Sequence, residues 1–523
     1  MLRRKFLKLS SALAASPVLP VSFGMSALAQ QAHAGSPDYA AVNVVAPAVM
    51  PQVINIFMYG GASELAGNLS NIAVIELHSE NSYVGEFGSR ILRTEAEALA
   101  DPGVNDDQWE LTPNNFWRRA GGTHMEDMLA AGELTVYRTI YKQKSPTRSH
   151  RESIFMSHKG TLDIENAPGI GSRIALMMQQ NPSIYESALL ADGNEMGSLD
   201  NLTLPFVSFE GESQTYAIDP NNPLPLYLRG LTMDNQFNNP YSRSVGTSST
   251  AIATEEAIEA LLKSRLELVK ASKVKYQKAW DGFDKRSELE EKMRDLSGLL
   301  NGGDDNGNQS SAQALGVDYP GGSFSNQLEA AITLAIHNPQ TLYMAVGTPG
   351  LGGWDDHNNG VDRYPDRMND LMEAIKAGMA HIKAAAAQGV TTISGSNRTQ
   401  TDNIIINVFG DFGRLVNLNN SNGWDHANNQ NLYTFGGAGV RPTKEKAALG
   451  SVVGTTMRAG KSKTNNQYTV PTKGVEGVQD SPSWEPMSIA SSIYGYFGAT
   501  NPQVLTRDST LNPDGDVRLE DKL

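Results

Sequence analysis

Residues 402–437 read DNIIINVFGDFGRLVNLNNSNGWDHANNQNLYTFGG. The stretch opens on Ile404, Ile405, Ile406, Val408 and Phe409, the composition of a strand buried on both faces, as in a parallel sheet. The run stops at Gly410, and Asp411 follows directly. Open α/β sheets hold their ligands beyond the carboxyl ends of the strands, so Asp411 stands where a functional carboxylate is expected. The next residues are too rich in Asn and Gly to pack a core, and they carry Asp425 and His426 side by side. A second apolar run, Leu432 to Phe435, ends in another Gly pair. Strand, acid, polar loop, Asp-His and strand together predict a cation site, with the rest of the chain supplying its partners.

Working outward, Val53 to Tyr59, Leu134 to Tyr137, Phe206 to Phe209 and Leu342 to Val346 read as further strands. Several end in Gly-rich polar loops and are separated by helical segments, one of them Tyr364 to Ala387. That alternation predicts an α/β fold with a doubly wound, mostly parallel sheet and helices on both faces. Residues 251–300 break the alternation with a helical period, carried by Ile258, Leu261, Leu262, Val269, Tyr276, Trp280, Phe283, Leu289 and Met293. They are expected to form a helical hairpin on the side of the domain; with the Gly/Asp/Asn loop that follows, the insertion spans 251–312. That loop lacks the ligand spacing of an EF-hand. The expected organisation is a signal over 1–34, a linker over 35–50, the α/β domain over 51–510 and a tail over 511–523.

The chain has 523 residues, no cysteine and a net charge of −14. The charge speaks against a nucleic-acid surface. The missing cysteines exclude disulfides, zinc–thiolate and iron–sulfur sites and a thiol nucleophile. At the start, Arg3 and Arg4 precede Lys5-Phe6-Leu7-Lys8 and a modestly apolar run. This resembles a twin-arginine (Tat) signal, with small-residue cleavage sites at Ala27-Leu28-Ala29 and Ala32-His33-Ala34. The Tat translocase is therefore an expected partner, and a periplasmic or secreted location is expected. No other stretch reaches the roughly 18 apolar residues that a spanning helix needs.

Two further constellations bear chemistry. Gly353-Trp354-Asp355-Asp356-His357 lies between a strand end and a helix, and Trp424-Asp425-His426 repeats its Trp-Asp-His theme. Carboxylate with imidazole suits zinc or manganese; carboxylates alone suit calcium. The expected ligand candidates of a divalent metal ion are Asp355, Asp356, His357, Asp411, Asp425 and His426. Their Gly/Asn-rich loops are expected to need an external tie, which a bound cation would supply. The segment Pro146-Thr147-Arg148-Ser149-His150-Arg151-Glu152 places Ser149 at a helix start, where free N–H groups favour an anion. Ser149 reads either as a nucleophile, with Arg148 holding the anion, or as an N-cap closed by Glu152 in a capping box.

In order, Arg148-Ser149-His150, GGWDDH at 352–357, GDFGR at 410–414 and GWDH at 423–426 resemble the landmarks of the domain of unknown function family 1501. That family is a Tat-exported branch related to the alkaline phosphatase and sulfatase superfamily. The resemblance covers roughly residues 50–500 and implies an alkaline phosphatase-like fold. It implies a metal-dependent hydrolase of phosphate or sulfate esters with Ser149, Arg148 and His150 at the reaction centre. The chain departs from the pattern in three places. Ser63 stands where a metal-binding Asp is usual, Asp411 replaces a Glu, and Phe412 fills the place of the superfamily's histidine. These departures motivate the other expectation, a secreted binding or assembly protein that keeps the fold without turnover.

Overall fold

The computed structural model describes residues 39–62, 112–191, 198–237, 249–272, 289–290, 292–300, 309–389, 400–415, 419, 421, 423–460, 468–508 and 511–523. The signal, Ser63, and parts of the 251–312 insertion lie outside the described residues.

Eight strands form one sheet. In chain order they are β1 (Gln52–Met58), β2 (Leu134–Tyr141), β3 (Phe206–Ser208), β4 (Leu231–Thr232), β5 (Tyr343–Val346), β6 (Ile404–Gly410), then, beyond a small pair formed by β7 (Gly413–Arg414) and β8 (His426–Ala427), β9 (Asn429–Gly436) and β10 (Ser451–Val453). The spatial order is β10-β2-β9-β6-β1-β5-β3-β4. Every neighbouring pair is parallel except those of β9, which runs against both β2 and β6. The sheet is thus mostly parallel, and the fold is mixed α/β.

The central strands are buried along their whole length. Alternation along β1 sends Ile54 and Ile56 to one face and Val53 and Phe57 to the other. The first face is covered by α5 (Ser323–His337) and α6 (Gly360–Ala387), and the second by α3 (Ile170–Gln180) and α7 (Met487–Tyr496). The remaining labelled helices are α1 (Gly122–Ala130), α2 (His150–Lys159) and α4 (Ser249–Ser272).

Polar side chains inside the strands are paired across the sheet. Thr434 donates to Asn407 at 2.7 Å, Asn407 to Asn55 at 2.9 Å and Asn55 to the Tyr343 hydroxyl at 2.7 Å. This chain crosses β9, β6, β1 and β5 and penalises any slip in register, because a slip would orphan buried polar groups.

Three expectations meet different structure. The apolar run at 432–435 belongs to an eight-residue strand, β9, which begins at Asn429 and is antiparallel. The segments expected as linker and tail are partly packed, because Tyr39, Val42, Met50 and Leu519 are buried against the second face. In the insertion, Ile258, Leu261, Leu262 and Leu268 of α4 are exposed, whereas Met293 and Leu296, in the helical stretch 292–300, join the first core cluster.

Candidate metal site at the carboxyl edge of the sheet

The register of β1 with β6 pairs Met58 with Gly410, so the two strands end at one level. The residues beyond them therefore meet. Asp411 is fully buried, and one carboxylate oxygen accepts the amides of Gly60 at 3.0 Å and Gly61 at 2.8 Å. Gly60 has φ +118, and a Cβ there would sit 2.4 Å from the amide nitrogen of Asp355. Glycine is what lets the loop carrying Asp355 pass over the end of β1. Because β9 is antiparallel, its amino end lies on the same edge, and this brings Asp425 and His426 to the site.

The second oxygen of Asp411 lies 2.7 Å from Nδ1 of His150. His150 is the first residue of α2, and Ser149 is its N-cap, accepting the Glu152 amide at 3.5 Å. The Glu152 carboxylate bonds the Thr147 hydroxyl. Ser149 and Arg148 are exposed. The Arg148 guanidinium lies over the Tyr468 ring at 4.5 Å, and its carbonyl accepts from Nδ1 of His426 at 2.8 Å.

Three imidazoles converge on Asp355. Its Oδ1 is 3.4 Å from Nε2 of His150, 3.4 Å from Nε2 of His426 and 3.2 Å from Nε2 of His357. Each ring is held from behind through Nδ1: His150 by Asp411, His426 by the Arg148 carbonyl, and His357 by Asp425 at 2.9 Å. An acceptor at Nδ1 takes the ring proton and favours an unprotonated Nε2, the usual arrangement behind a metal-binding histidine; the Nε2 atoms of His357 and His426 also stand within hydrogen-bond distance of each other, at 2.8 Å. His150, Asp355 and His426 form a group that could hold a metal ion, their ligand atoms all lying within 4.8 Å of one another. The Nε2 atom of His150 is buried without a hydrogen-bond partner, so the donor set fits a cation at that point. Two nitrogens and a carboxylate oxygen suit zinc or manganese.

Local electrostatics act differently on the two rings. The hydrogen bond to Asp411 raises the His150 pKa above the ordinary imidazole range, against the opposing effect of burial. Burial lowers His426, which keeps it neutral and able to coordinate. Burial pushes Asp355 upward, but Arg414 and the neighbouring histidines outweigh it and hold the carboxyl below its usual range. The Arg414 guanidinium is fully buried and donates to Asp355 Oδ1 at 2.6 Å, to the Gly61 carbonyl at 2.7 Å, to the Trp424 carbonyl at 2.9 Å and to the Gly60 carbonyl. Phe412 packs its ring against His150 and His426, with centroids 4.7 and 4.4 Å away.

Of the residues expected as ligands, Asp355, His357 and His426 point into the cluster, while Asp411 and Asp425 stand behind histidines. Asp356 does not join it: its buried carboxylate faces Arg367 at 3.1 Å and Arg363 at 3.2 Å, and burial raises its pKa. His150, expected at the reaction centre beside Ser149, belongs to the group that could hold a metal ion. The two loops are also tied directly to each other. The Trp424 amide donates to the Asp356 carbonyl at 2.8 Å, and buried Trp354 and Trp424 both pack on Tyr364. The tryptophans preceding each Asp were the overlooked signal for this anchoring.

Lys142 was also missed. Its buried ammonium donates to Ser153 at 2.6 Å and to the Thr147 carbonyl at 2.7 Å, closing the loop that delivers His150. Burial lowers its pKa to about 8. The only sequence signal is a lysine directly after an apolar strand.

Compared with family models and with curated proteins, the chain matches none.

Proposed function

We propose that the chain is an exported, metal-dependent hydrolase of phosphate or sulfate esters with an alkaline phosphatase-like core, akin to the domain of unknown function family 1501. The observation that carries the proposal is the convergence of the His150 and His426 Nε2 atoms on Asp355 Oδ1, each ring fixed through Nδ1. A divalent metal held there would polarise an ester oxygen and favour ionisation of a nearby hydroxyl.

The chain's own groups take the other roles. Ser149 leads into His150 and presents an exposed hydroxyl at the start of α2. That hydroxyl would attack phosphorus or sulfur, the ester oxygen leaving with a proton, and water would then release the acid from Ser149. Arg148 would hold the non-bridging oxygens with its forked donors. Asp411 and the Arg148 carbonyl keep His150 and His426 in one tautomer throughout.

The test is hydrolysis of aryl phosphates, phosphodiesters and aryl sulfates by the mature protein, with and without chelator. The proposal expects turnover that falls with chelator and is abolished in Ser149→Ala. Turnover indifferent to both would remove it. Export is tested separately, since Arg3→Lys with Arg4→Lys should leave precursor in the cytoplasm.

One observation favours a non-catalytic binding or assembly role. Arg414 already places a buried cation 2.6 Å from Asp355. In that reading the guanidinium substitutes for the metal, and protein purified after native export would carry no transition metal.

A further inference from the structure

A second group of ionisable side chains lies on the same edge of the sheet and shares no residue with the first. Tyr59 follows β1, Glu210 lies just beyond β3, and His158 sits in the last turn of α2. His158 lies eight positions after His150, which is about 12 Å along a helix.

Glu210 is the anomaly. Its side chain is 5% exposed, and neither carboxylate oxygen has a hydrogen-bond partner. A buried carboxylate is costly unless a donor or cation compensates it. Its ionisable neighbours are Tyr59, whose pKa the carboxylate helps to raise, and His158, whose Nδ1 lies 3.8 Å from Oε1. That is too long for a hydrogen bond. It is the spacing of two donors on one ion, because ligands about 2.0–2.2 Å from a common centre sit roughly 3.4–4 Å apart. The Ser213 hydroxyl stands 3.1 Å from the same Nδ1 and supplies a third oxygen. On the far side of the ring, the Tyr59 hydroxyl is 3.4 Å from Nε2 and steadies it, as groups behind a coordinating imidazole do. Phe57 packs edge-on against the His158 ring at 4.4 Å. Burial lowers the His158 pKa, which favours the neutral ring. Gly347 has no side chain where a Cβ would come 3.3 Å from the Cβ of Glu210.

We infer that Glu210 and His158, with Ser213, form a second divalent-cation site of the zinc or manganese class, independent of the His150–Asp355–His426 group. An oxygen–nitrogen–oxygen donor set with no sulfur fits that class.

Zinc binding by the full mature chain tests the inference, measured calorimetrically and by metal content after dialysis. Wild type should bind one equivalent more than Glu210→Gln, or bind it at least tenfold more tightly. Asp355→Asn, altered in the first group, should keep the Glu210-dependent equivalent, so failure of one site is distinguishable from failure of the other. Glu210→Gln preserves size and removes an unpaired charge, so without zinc it should melt at or above the wild-type temperature. Zinc stoichiometry and affinity unchanged in Glu210→Gln would overturn the inference. The same holds if that variant is stabilised without zinc while its zinc binding matches wild type, since Glu210 is then simply a protonated carboxyl.

Discussion

Asp411 Oδ2 and His150 Nδ1 lie 2.7 Å apart, joining the end of the central strand to the first residue of α2. The other oxygen of Asp411 is fixed by two amides of the β1 turn. The imidazole is therefore oriented by a carboxylate that the sheet itself holds in place. Replacing Asp411 with Asn keeps the size but loses the anion that fixes the ring proton. Zinc affinity at the first site should fall about 10- to 100-fold, while the melting temperature in chelator changes little. Calorimetric zinc titration checks this, and unchanged affinity would show that Asp411 does not act through His150.

Gly60 should tolerate nothing larger. Gly60→Ala adds a methyl that meets the Asp355 backbone at 2.4 Å, at a φ of +118 that side chains rarely adopt. The expected outcome is loss of zinc binding at the first site with the sheet intact, read by calorimetry alongside far-ultraviolet circular dichroism.

Arg414 ties the two strand-end turns to both Trp-Asp-His loops through carbonyls and one carboxylate. Arg414→Met leaves those acceptors and Asp355 without their buried donor. Stability should drop by about 3–5 kcal/mol, as when one partner of a buried pair is removed. Arg414→Lys should restore little, because an ammonium lacks the fork. Urea unfolding of the three proteins measures the difference.

The insertion should divide into two parts. Met293 and Leu296 are in the core, and each truncation to Ala should cost roughly 2–5 kcal/mol. Leu261 is exposed on α4, and Leu261→Ala should stay within about 0.5 kcal/mol. Equal costs would place α4 in the core as well.

Stability should also depend on pH through Glu485. This side chain accepts the amides of Gln143 and Lys144 in the loop before α2, yet burial pushes its pKa from 4.5 up to about 7. A group with a raised folded pKa contributes stability that is full below its unfolded value. That contribution is lost as pH rises through the folded value. Wild type should therefore lose about 3 kcal/mol between pH 4.5 and somewhat above 7. Glu485→Gln should lack this slope, and chemical denaturation across that range separates the two.

Much of the architecture was legible because it rests on one-dimensional signals. The buried run at 404–409, its stop at Gly410 and the acid after it announce a strand end, and Met58 beside Gly410 is where such a signal points. The direction of β9 was not legible, since Leu432 to Phe435 would be equally apolar in either orientation. For the site, residue types were readable but which of them face one another was not. Asp411 and His150 are 261 positions apart, and the pairing of β2 with β9 and of β9 with β6 brings the segment after β2 to the end of β6. Asp356 shows the same limit: whether a carboxylate faces a cation site or Arg363 and Arg367 depends on α6, a helix that begins four residues later.

The most direct measurement is the anomalous scattering of zinc in crystals of the mature protein. A peak about 2.0–2.3 Å from His150 Nε2, His426 Nε2 and an Asp355 oxygen is the predicted result. No peak among those three atoms at saturating zinc, with Arg414 still bonded to Asp355, would contradict the metal site and the metal-dependent hydrolase built on it.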